Sequence, residues 1–380
     1  MKIQSKLPDV GTSIFTVMSK MALDYGAINL SQGFPDFMID EKIISLVHRY
    51  MVEGNNQYAP MPGTPALRNA IAGVIAKTYG RTVDPETEIT ITSGATESTF
   101  SIIAAMISKG DEVIIFDPAY DSYNPVVRLN GGTPVHINLN GTDFSIDWDV
   151  VRSKISARTK LIIINSPQNP SGAVLRENDL LELEKIVLKN NLFVLSDEVY
   201  ERLIFDDIQH QSVLRYPALA DKSFAVFSFG KTFHATGWKV GYVVAAPHLT
   251  QEVLKAHQFV VFSVNTPVQL ALAEYLQTPE HYLSLGNFYQ RKRDFFLDQI
   301  KGSSFEPMTC HGSYFQLLSY KNISSKPDVE MAEELTKKFK VASIPVSVFY
   351  QDKTDNRLLR FCFAKKEETL EKACAILKSF

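Results

Sequence analysis

The sequence predicts an α/β fold with a mostly parallel central sheet, because short apolar segments alternate with helix-like ones through the middle of the chain. The apolar segments are rich in Val, Ile and Phe and show no polar alternation, which is typical of strands buried on both faces. The predicted strands lie at residues 88–92, 112–116, 160–164, 192–195, 224–227 and 240–244.

Helix-like segments separate these strands and complete the alternation. The predicted helices extend over residues 65–79, 97–108 and 176–190. Asn191 follows the last of them, and asparagine commonly ends a helix because it tolerates the left-handed backbone conformation. Strand and helix in alternation indicate parallel strands joined by helices, with helices on both faces of the sheet.

The alternation loosens after about Thr278, where a long polar helix is predicted over residues 280–300. Short strands and further helices follow it, which is typical of an α+β arrangement. The strands are predicted near residues 313–318 and 358–363, and the helices at residues 328–340 and 367–378. We therefore expect a second, smaller α+β domain.

Three parts of the chain are expected from these patterns. Residues 1–40 would form an N-terminal arm that belongs partly to the small domain, residues 41–278 the large domain, and residues 279–380 the small C-terminal domain. A chain of 380 residues is longer than a single small core usually needs. Because no internal repeat or Gly/Ser linker interrupts the sequence, we expect the parts to pack together.

The composition argues against several classes of protein. Lys and Arg number 39 against 42 Asp and Glu, a net charge of −3, which disfavours a general surface for nucleic acid or for an anionic membrane. Three scattered cysteines, Cys310, Cys362 and Cys374, predict a reducing cytoplasm without a disulfide framework or a structural metal site. Residues 1–10 are charged and lack an apolar run, so neither a signal peptide nor a membrane span is expected there.

Ligands of open α/β sheets collect at the carboxyl ends of the strands, and four predicted strand ends here carry residues suited to chemistry. The first is residues 92–97, Thr-Ser-Gly-Ala-Thr-Glu, a turn of small residues that leads into a helix. The free N–H groups at Gly94, Ala95 and Thr96 could hold a phosphate. The alternative is an ordinary helix N-cap by Ser93 or Thr96.

The second and third strand ends carry an amide and two acids. Residues 165–172, Asn-Ser-Pro-Gln-Asn-Pro-Ser-Gly, place Asn169 between constrained neighbours, with a plain loop as the alternative. Residues 195–200, Leu-Ser-Asp-Glu-Val-Tyr, put Asp197 at the end of a buried strand and Tyr200 three residues later. An isolated buried carboxylate is costly, so Asp197 either faces a cation or is a solvated loop acid.

The fourth strand end, residues 228–241, reads Ser-Phe-Gly-Lys-Thr-Phe-His-Ala-Thr-Gly-Trp-Lys-Val-Gly. Lys231 there follows a strand and lies among glycines and hydroxyls. Burial would lower the pKa of such a lysine and make its amine available for a Schiff base.

The same segment matches a nucleotide-binding pattern, because residues 225–232 read A-x-x-x-x-G-K-T. A loop that binds triphosphates needs a flexible, glycine-rich stretch followed by a helix. Here the intervening residues are mostly apolar and strand-like, and Gly237 and Gly241 interrupt any helix after Thr232. A nucleotide triphosphatase is therefore only a remote alternative.

Taken in order, these segments resemble the fold-type-I pyridoxal-phosphate enzymes, specifically the class I/II aminotransferases. Three further segments are most similar to the branch of methionine and kynurenine aminotransferases, and within it to the bacterial methionine aminotransferases. The matching motifs are N-P-S-G at 169–172, D-E-V-Y at 197–200, S-x-G-K-T and G-W-K-V-G within 228–241, N-L-S-Q-G-F-P-D at 29–36, N-Q-Y-A-P at 56–60 and L-R-F-C-F-A-K at 359–365.

The resemblance implies pyridoxal 5'-phosphate as cofactor, bound by the large domain, and a role for each strand-end residue. Lys231 would hold the cofactor aldehyde covalently and, once substrate displaces it, move a proton at the substrate Cα. Asp197 would pair with the pyridine nitrogen and keep it protonated. Asn169 and Tyr200 would hydrogen-bond the phenolic oxygen, and Tyr120 would stack on the ring.

The resemblance also implies a phosphate site that is shared between two subunits. Tyr58 would reach the phosphate of the other subunit's cofactor, which implies a homodimer with shared active sites. Many class I members carry an arginine where Lys239 stands. The cation that would bind the phosphate here is therefore a compact ammonium group and not a bidentate guanidinium. The phosphate ligands implied within one subunit are Gly94, Ala95, Thr96, Ser228 and Lys239.

Substrate contacts follow from the same resemblance. Arg360 would grip the α-carboxylate as a bidentate fork, beside Asn169, and Gly33 would let the backbone approach that carboxylate. Aromatic residues that could line a side-chain pocket, with core packing as the alternative, are Phe15, Phe34 and Phe262.

The implied activity is a ping-pong transfer of an amino group from methionine or an aromatic amino acid, kynurenine included, to a 2-oxo acid. Residues 262–265, Phe-Ser-Val-Asn, are neutral where dicarboxylate-specific members bring an arginine across the dimer. A β-lyase acting on cysteine S-conjugates stays an alternative, because it shares the carbanion intermediate. An aminotransferase-like sensor fused to a DNA-binding module is disfavoured, since the stretch before Asn29 is short and no basic patch is visible.

Overall fold

The computed structural model describes residues 4–380, and within them thirteen strands form three sheets. The first three residues of the expected N-terminal arm lie outside the described range. The strands are β1 (Ile28–Asn29), β2 (Ile89–Thr92), β3 (Glu112–Asp117), β4 (Thr133–Asn138), β5 (Thr159–Asn165), β6 (Phe193–Asp197), β7 (Ser223–Ser228), β8 (Gly241–Ala245), β9 (Glu306–Pro307), β10 (Phe315–Ser319), β11 (Val341–Ala342), β12 (Ile344–Pro345) and β13 (Leu358–Cys362).

Helices lie between and around these strands over the same described range. They are α1 (Ile14–Asp24), α2 (Glu41–Val52), α3 (Pro65–Tyr79), α4 (Ala95–Met106), α5 (Tyr123–Leu129), α6 (Trp148–Lys154), α7 (Glu177–Asn190), α8 (Pro217–Ala220), α9 (Phe229–Thr232), α10 (Pro247–Val260), α11 (Thr266–Tyr275), α12 (Glu280–Leu283), α13 (Leu285–Gln299), α14 (Asp328–Lys337) and α15 (Glu367–Leu377).

The large sheet has seven strands in the order β2-β8-β7-β6-β5-β3-β4. Strand β8 alone runs in the direction opposite to the other six, so the predicted mostly parallel sheet is confirmed. Its strands are apolar throughout because helices cover both faces. Ile114 of β3 packs into the cluster formed with α2, α3, α7 and α11, whereas Val113 and Ile115 face the cluster formed with α4, α5 and α10.

The second sheet is smaller and antiparallel, in the order β12-β13-β10-β9. It shares a hydrophobic cluster with α13, α14 and α15, to which α1 contributes Met18. The chain segment after α1 joins this region as well, since β1 pairs in parallel with β11. The smaller α+β unit is therefore present, while the boundaries at residues 40 and 278 stay predictions.

Several elements differ from the sequence prediction, each for a physical reason. Strand β4 was not predicted because it is a partly exposed edge strand without a continuous apolar run. The helix predicted over 280–300 is two helices, α12 and α13, separated at Ser284. Helix α4 begins at Ala95, two residues before the predicted start, and this places its first turn directly at the end of β2.

No helix within residues 4–380 combines the length and the apolar character needed to cross a membrane.

Candidate active site

A cavity of about 310 Å³ opens at the carboxyl ends of β5, β6 and β7, between the large sheet and the smaller antiparallel one. Every site residue predicted from the sequence lines it except Tyr58 and the candidate pocket residue Phe262. The large sheet contributes Asn165, Asp197 and Ser228 from its strand ends, and β13 contributes Arg360 from the other side. The roles of these residues stay predictions, but the fold brings them together in one place.

Lys231 lies in the short helix α9, which directly follows β7. Its Nζ lies 2.9 Å from the hydroxyl of Tyr314 and 3.4 Å from the carbonyl oxygen of Gly33. Burial lowers the pKa of this amine to about 8. About a tenth of Lys231 is therefore uncharged and nucleophilic at pH 7, far more than for an ordinary lysine.

Asp197 ends β6 and is only 6% exposed. The hydroxyl of Tyr123 donates to its Oδ2 over 2.5 Å, and the N–H of Val199 donates to its Oδ1 over 3.3 Å. Burial raises the pKa of Asp197 to about 6, and the Tyr123 hydrogen bond opposes that shift. A buried carboxylate with one face toward a cavity is suited to a cationic ligand group.

The phosphate ligands predicted on α4 lie at a helix start whose geometry favours an anion. Gly94 is the N-cap residue with a φ of 76°, and no side chain within the described residues caps this helix. The alternative of an ordinary cap by Ser93 or Thr96 is thus wrong. A Cβ on Gly94 would lie 3.2 Å from the Nζ of Lys239, so the glycine leaves room beside that ammonium group. Helix dipole and lysine together make an anion site.

Arg360 projects from β13 and is 1% exposed. Its Nη1 donates to the Oδ1 of Asn169 over 2.7 Å, and its Nη2 donates to the carbonyl of Ser31 over 2.9 Å. The guanidinium stacks on Phe315 at 3.9 Å from the ring centroid. Burial lowers the pKa of Arg360 to about 10, and its Nε has no partner within the described residues. A buried guanidinium without an ion-pair partner among the described residues favours a carboxylate ligand.

Gly33 and Phe15 lie beside Arg360, because Gly33 approaches the Phe315 ring that the guanidinium covers, and the guanidinium lies 5.2 Å from the Phe15 ring centroid. A Cβ on Gly33 would approach the Phe315 ring to 2.6 Å, so only glycine fits here. Phe15 and Phe34 both line the cavity, although Phe34 is exposed toward solvent. Phe262 lies away from this cavity.

Tyr58 is the predicted phosphate ligand that the single chain does not bring to the site. It is 83% exposed, and its ring packs edge-on against Phe262 with 5.5 Å between centroids. Its contact with the phosphate of a second subunit's cofactor stays a prediction.

Sequence analysis missed two tyrosines that contact the central residues. Tyr123 donates to Asp197, and Tyr314 contacts Lys231. Tyrosines in apolar segments are usually core residues, and both are indeed buried. Their relevance follows from tertiary contacts across more than 70 residues of chain, which no local pattern signals.

The nucleotide-binding pattern does not form a phosphate loop. Residues 225–228 are part of β7, which is hydrogen-bonded to β6 on one side and β8 on the other. Lys231 then lies in a helix of four residues that ends at Thr232. A paired strand cannot wrap around a triphosphate, so the nucleotide triphosphatase alternative is wrong.

Comparison with known proteins agrees with this geometry. A family model for aminotransferases of class I and II matches residues 25–377. The chain is 47% identical to a methionine aminotransferase of Escherichia coli, covering 99% of this chain and 97% of that protein. It is 31% identical to human kynurenine–oxoglutarate transaminase 3, covering 99% of this chain and 89% of that one.

Solved structures show the same likeness. A structure of an Escherichia coli protein with methionine aminotransferase function matches with a TM-score of 0.98 and 46% identity, over 100% of both chains. An aspartate aminotransferase of Thermus thermophilus with maleate matches with a TM-score of 0.91 and 28% identity, also over 100% of both chains.

Proposed function

The chain belongs to the class I and II aminotransferases, and from that premise we propose that it moves the amino group of methionine, or of an aromatic amino acid, to a 2-oxo acid with pyridoxal 5'-phosphate as cofactor. The observation that carries this proposal is the convergence of Lys231, Asp197 and Arg360 on one cavity. The amine of Lys231 suits the cofactor aldehyde, and the carboxylate of Asp197 suits the ring nitrogen. The guanidinium of Arg360 suits the substrate carboxylate.

The chemistry of the donor set fits this cofactor. Asp197 is a buried carboxylate that lacks a direct contact with a cation within the described residues, which suits a protonated pyridine nitrogen. The uncapped start of α4 and the ammonium of Lys239 suit a phosphate. Tyr120 lines the cavity where a ring face would need an aromatic neighbour. When bound, pyridoxal phosphate supplies a ring that withdraws electrons from the substrate Cα.

Proton transfer at the substrate Cα falls to Lys231. Its lowered pKa, about 8, lets Nζ accept a proton from Cα and return it at the next step. Within residues 4–380 the other cations that line the cavity are Lys239 and Arg360. Lys239 is proposed for the phosphate and Arg360 for the α-carboxylate, so neither is free to act as this base.

Arg360 is proposed to orient the substrate through its α-carboxylate. Contacts with Asn169 and Ser31 fix the guanidinium plane, and Phe315 covers one of its faces. A carboxylate bound to this fork is held in one orientation, which brings Cα to a fixed place relative to Lys231.

The side-chain preference rests on the absence of a further cation. With Lys231, Lys239 and Arg360 assigned, no other cation within the described residues lines the cavity. A second carboxylate would lose hydration on binding without gaining a partner. Phe15 and Phe34 instead offer apolar surface for a thioether or a ring.

The experiment that tests this function compares amino donors. Methionine, and then phenylalanine or tyrosine, should exceed aspartate in kcat/KM by about a hundredfold or more, because a buried carboxylate stays unpaired. The measurement follows formation of the 2-oxo acid of each donor and separately the release of ammonia. Comparable values for aspartate and methionine would refute the proposed preference, and release of ammonia in place of transfer would identify an elimination enzyme.

A second prediction concerns Asp197. Asp197→Asn should transaminate at least about a hundredfold more slowly, because an amide cannot keep the pyridine nitrogen protonated.

In the unmodified chain, cofactor affinity should fall as the pH drops through about 6, where Asp197 takes up a proton and loses its charge. Titration of cofactor binding against pH measures this, and the variant should lack the transition. Undiminished turnover in Asp197→Asn would contradict the assigned role.

Exposed apolar side chains support a homodimer with shared sites. Tyr58, Phe259, Val260 and Phe262 are all exposed on the single chain, and the first and last of them are in ring contact. Aromatic groups that protrude together are typical of a surface covered by a partner. We propose that a second copy covers them and that Tyr58 completes the phosphate site of that copy. A cytoplasmic location stays a prediction.

A further inference from the structure

We propose that Tyr314 is a positioning residue that holds the amine of Lys231 with its lone pair directed at the reacting atoms. The inference rests on the proposed function, because it assigns Lys231 the proton transfer. Tyr314 immediately precedes β10 and is 0% exposed, and it does not line the cavity itself. It therefore holds the lysine from the side away from bound ligands.

The hydrogen bonds around the Tyr314 hydroxyl have only one consistent direction. The hydroxyl lies 2.5 Å from the carbonyl oxygen of Gly33 and 2.9 Å from the Nζ of Lys231. A carbonyl oxygen only accepts, so the single phenolic proton is donated to Gly33. The phenolic oxygen must then accept a hydrogen bond from Nζ.

This direction determines what remains available on the lysine. An uncharged amine has two N–H bonds and one lone pair. Tyr314 accepts from one N–H, and the carbonyl of Gly33, 3.4 Å from Nζ, lies near the other. The lone pair takes the remaining position on Nζ. Because Tyr314 lies on the other side of Nζ, we infer that the lone pair is directed into the cavity that Lys231 lines. Burial lowers the pKa of Lys231, and Tyr314 sets its orientation.

Packing keeps the Tyr314 hydroxyl in place. Its ring meets Tyr200 and Phe315 edge-on, at 5.1 and 4.8 Å between centroids, and Tyr289 at 6.0 Å. Burial also holds the pKa of the Tyr314 phenol well above its usual range, so the hydroxyl keeps its proton. One rigid hydroxyl thus ties Lys231 to Gly33, the backbone proposed to approach the substrate carboxylate.

Tyr314→Phe tests the proposal, with Tyr289→Phe as the matched control. Both substitutions remove one buried phenol oxygen, but the Tyr289 hydroxyl contacts His234 and not Lys231. We expect Tyr314→Phe to lower kcat for methionine by about ten- to hundredfold through misorientation of the base, with KM changed by less than about threefold. The isotope effect on kcat/KM with Cα-deuterated methionine should rise, because proton transfer becomes more rate-limiting.

A second readout uses the chain without substrate. Cofactor-free enzyme is mixed with saturating pyridoxal phosphate at about pH 9, above the pKa of about 8 that Lys231 has in the unmodified chain. Absorbance follows the step in which Nζ forms a double bond to the aldehyde carbon, while the aldehyde oxygen leaves as water with the two protons of the uncharged amine. This step should slow about tenfold in Tyr314→Phe and stay within about twofold in Tyr289→Phe.

Two outcomes would overturn the proposal. Tyr314→Phe could retain kcat, the isotope effect and the capture rate within twofold of the unmodified enzyme. Alternatively, Tyr289→Phe could lower kcat and the capture rate by as much as Tyr314→Phe does, which would show that Tyr314 contributes only packing. If the unmodified enzyme itself transfers no amino group from methionine, the proposed function fails instead, and the unmodified protein reveals this before any variant is compared.

Discussion

Replacement of Lys231 by alanine is expected to lower kcat for methionine by at least about a thousandfold, the largest effect we predict for one residue. The amine is the one group in the cavity proposed to move a proton at Cα, and its pKa of about 8 suits that task. The cofactor should still bind, because Asp197 and the start of α4 do not depend on Lys231.

Single-turnover kinetics with methionine and bound cofactor measure this effect without the complication of cofactor loss. Lys255→Ala is a suitable control, since Lys255 is an exposed lysine paired with Glu252 and lies outside the cavity. Lys255→Ala should match the unmodified enzyme. Single-turnover rates in Lys231→Ala within tenfold of the unmodified enzyme would show that another group carries the proton.

Replacement of Arg360 by lysine should lower kcat/KM about a hundredfold or more for methionine and phenylalanine alike, because both share the α-carboxylate. A lysine cannot reproduce the planar fork that Asn169 and Ser31 hold in place. It would also lose the stacking on Phe315 and leave the carbonyl of Ser31 without its donor.

The ratio of kcat/KM between donors is the informative measurement for Arg360. It should stay within about threefold of the ratio in the unmodified enzyme, because the side chain of the substrate is not involved. Arg357→Lys, three residues earlier and outside the cavity, serves as the control. If only one donor were affected by Arg360→Lys, the guanidinium would contact a substrate side chain instead.

Much of the fold could be predicted because burial on both faces leaves a local signature. Residues 113–115 and 161–164 are apolar in succession, since alternate side chains enter different hydrophobic clusters. Lys231 and Asp197 could be identified because they interrupt such runs at strand ends, where ligands bind in open sheets.

Other features depend on contacts that a local pattern does not encode. Edge strand β4 is partly exposed and lacks the apolar run. Gly286 lies two residues after the break at Ser284 between α12 and α13, but an isolated glycine is tolerated inside a helix and does not by itself signal a break. Tyr314 contacts Lys231 although 83 residues of chain separate them, so only the tertiary fold brings the two together. The residues next to Tyr314 in the sequence are typical of a buried strand and do not indicate a contact with Lys231.

The identity of the lysine that holds the cofactor is the most direct test of the central claim, that this aminotransferase performs its chemistry at Lys231. Borohydride reduction of the enzyme loaded with pyridoxal phosphate, followed by peptide mapping, locates that lysine by its added mass. We predict a single labelled peptide with the modification on Lys231. A label on Lys239 or on any other lysine would contradict the assignment and, with it, the proposed arrangement of the site.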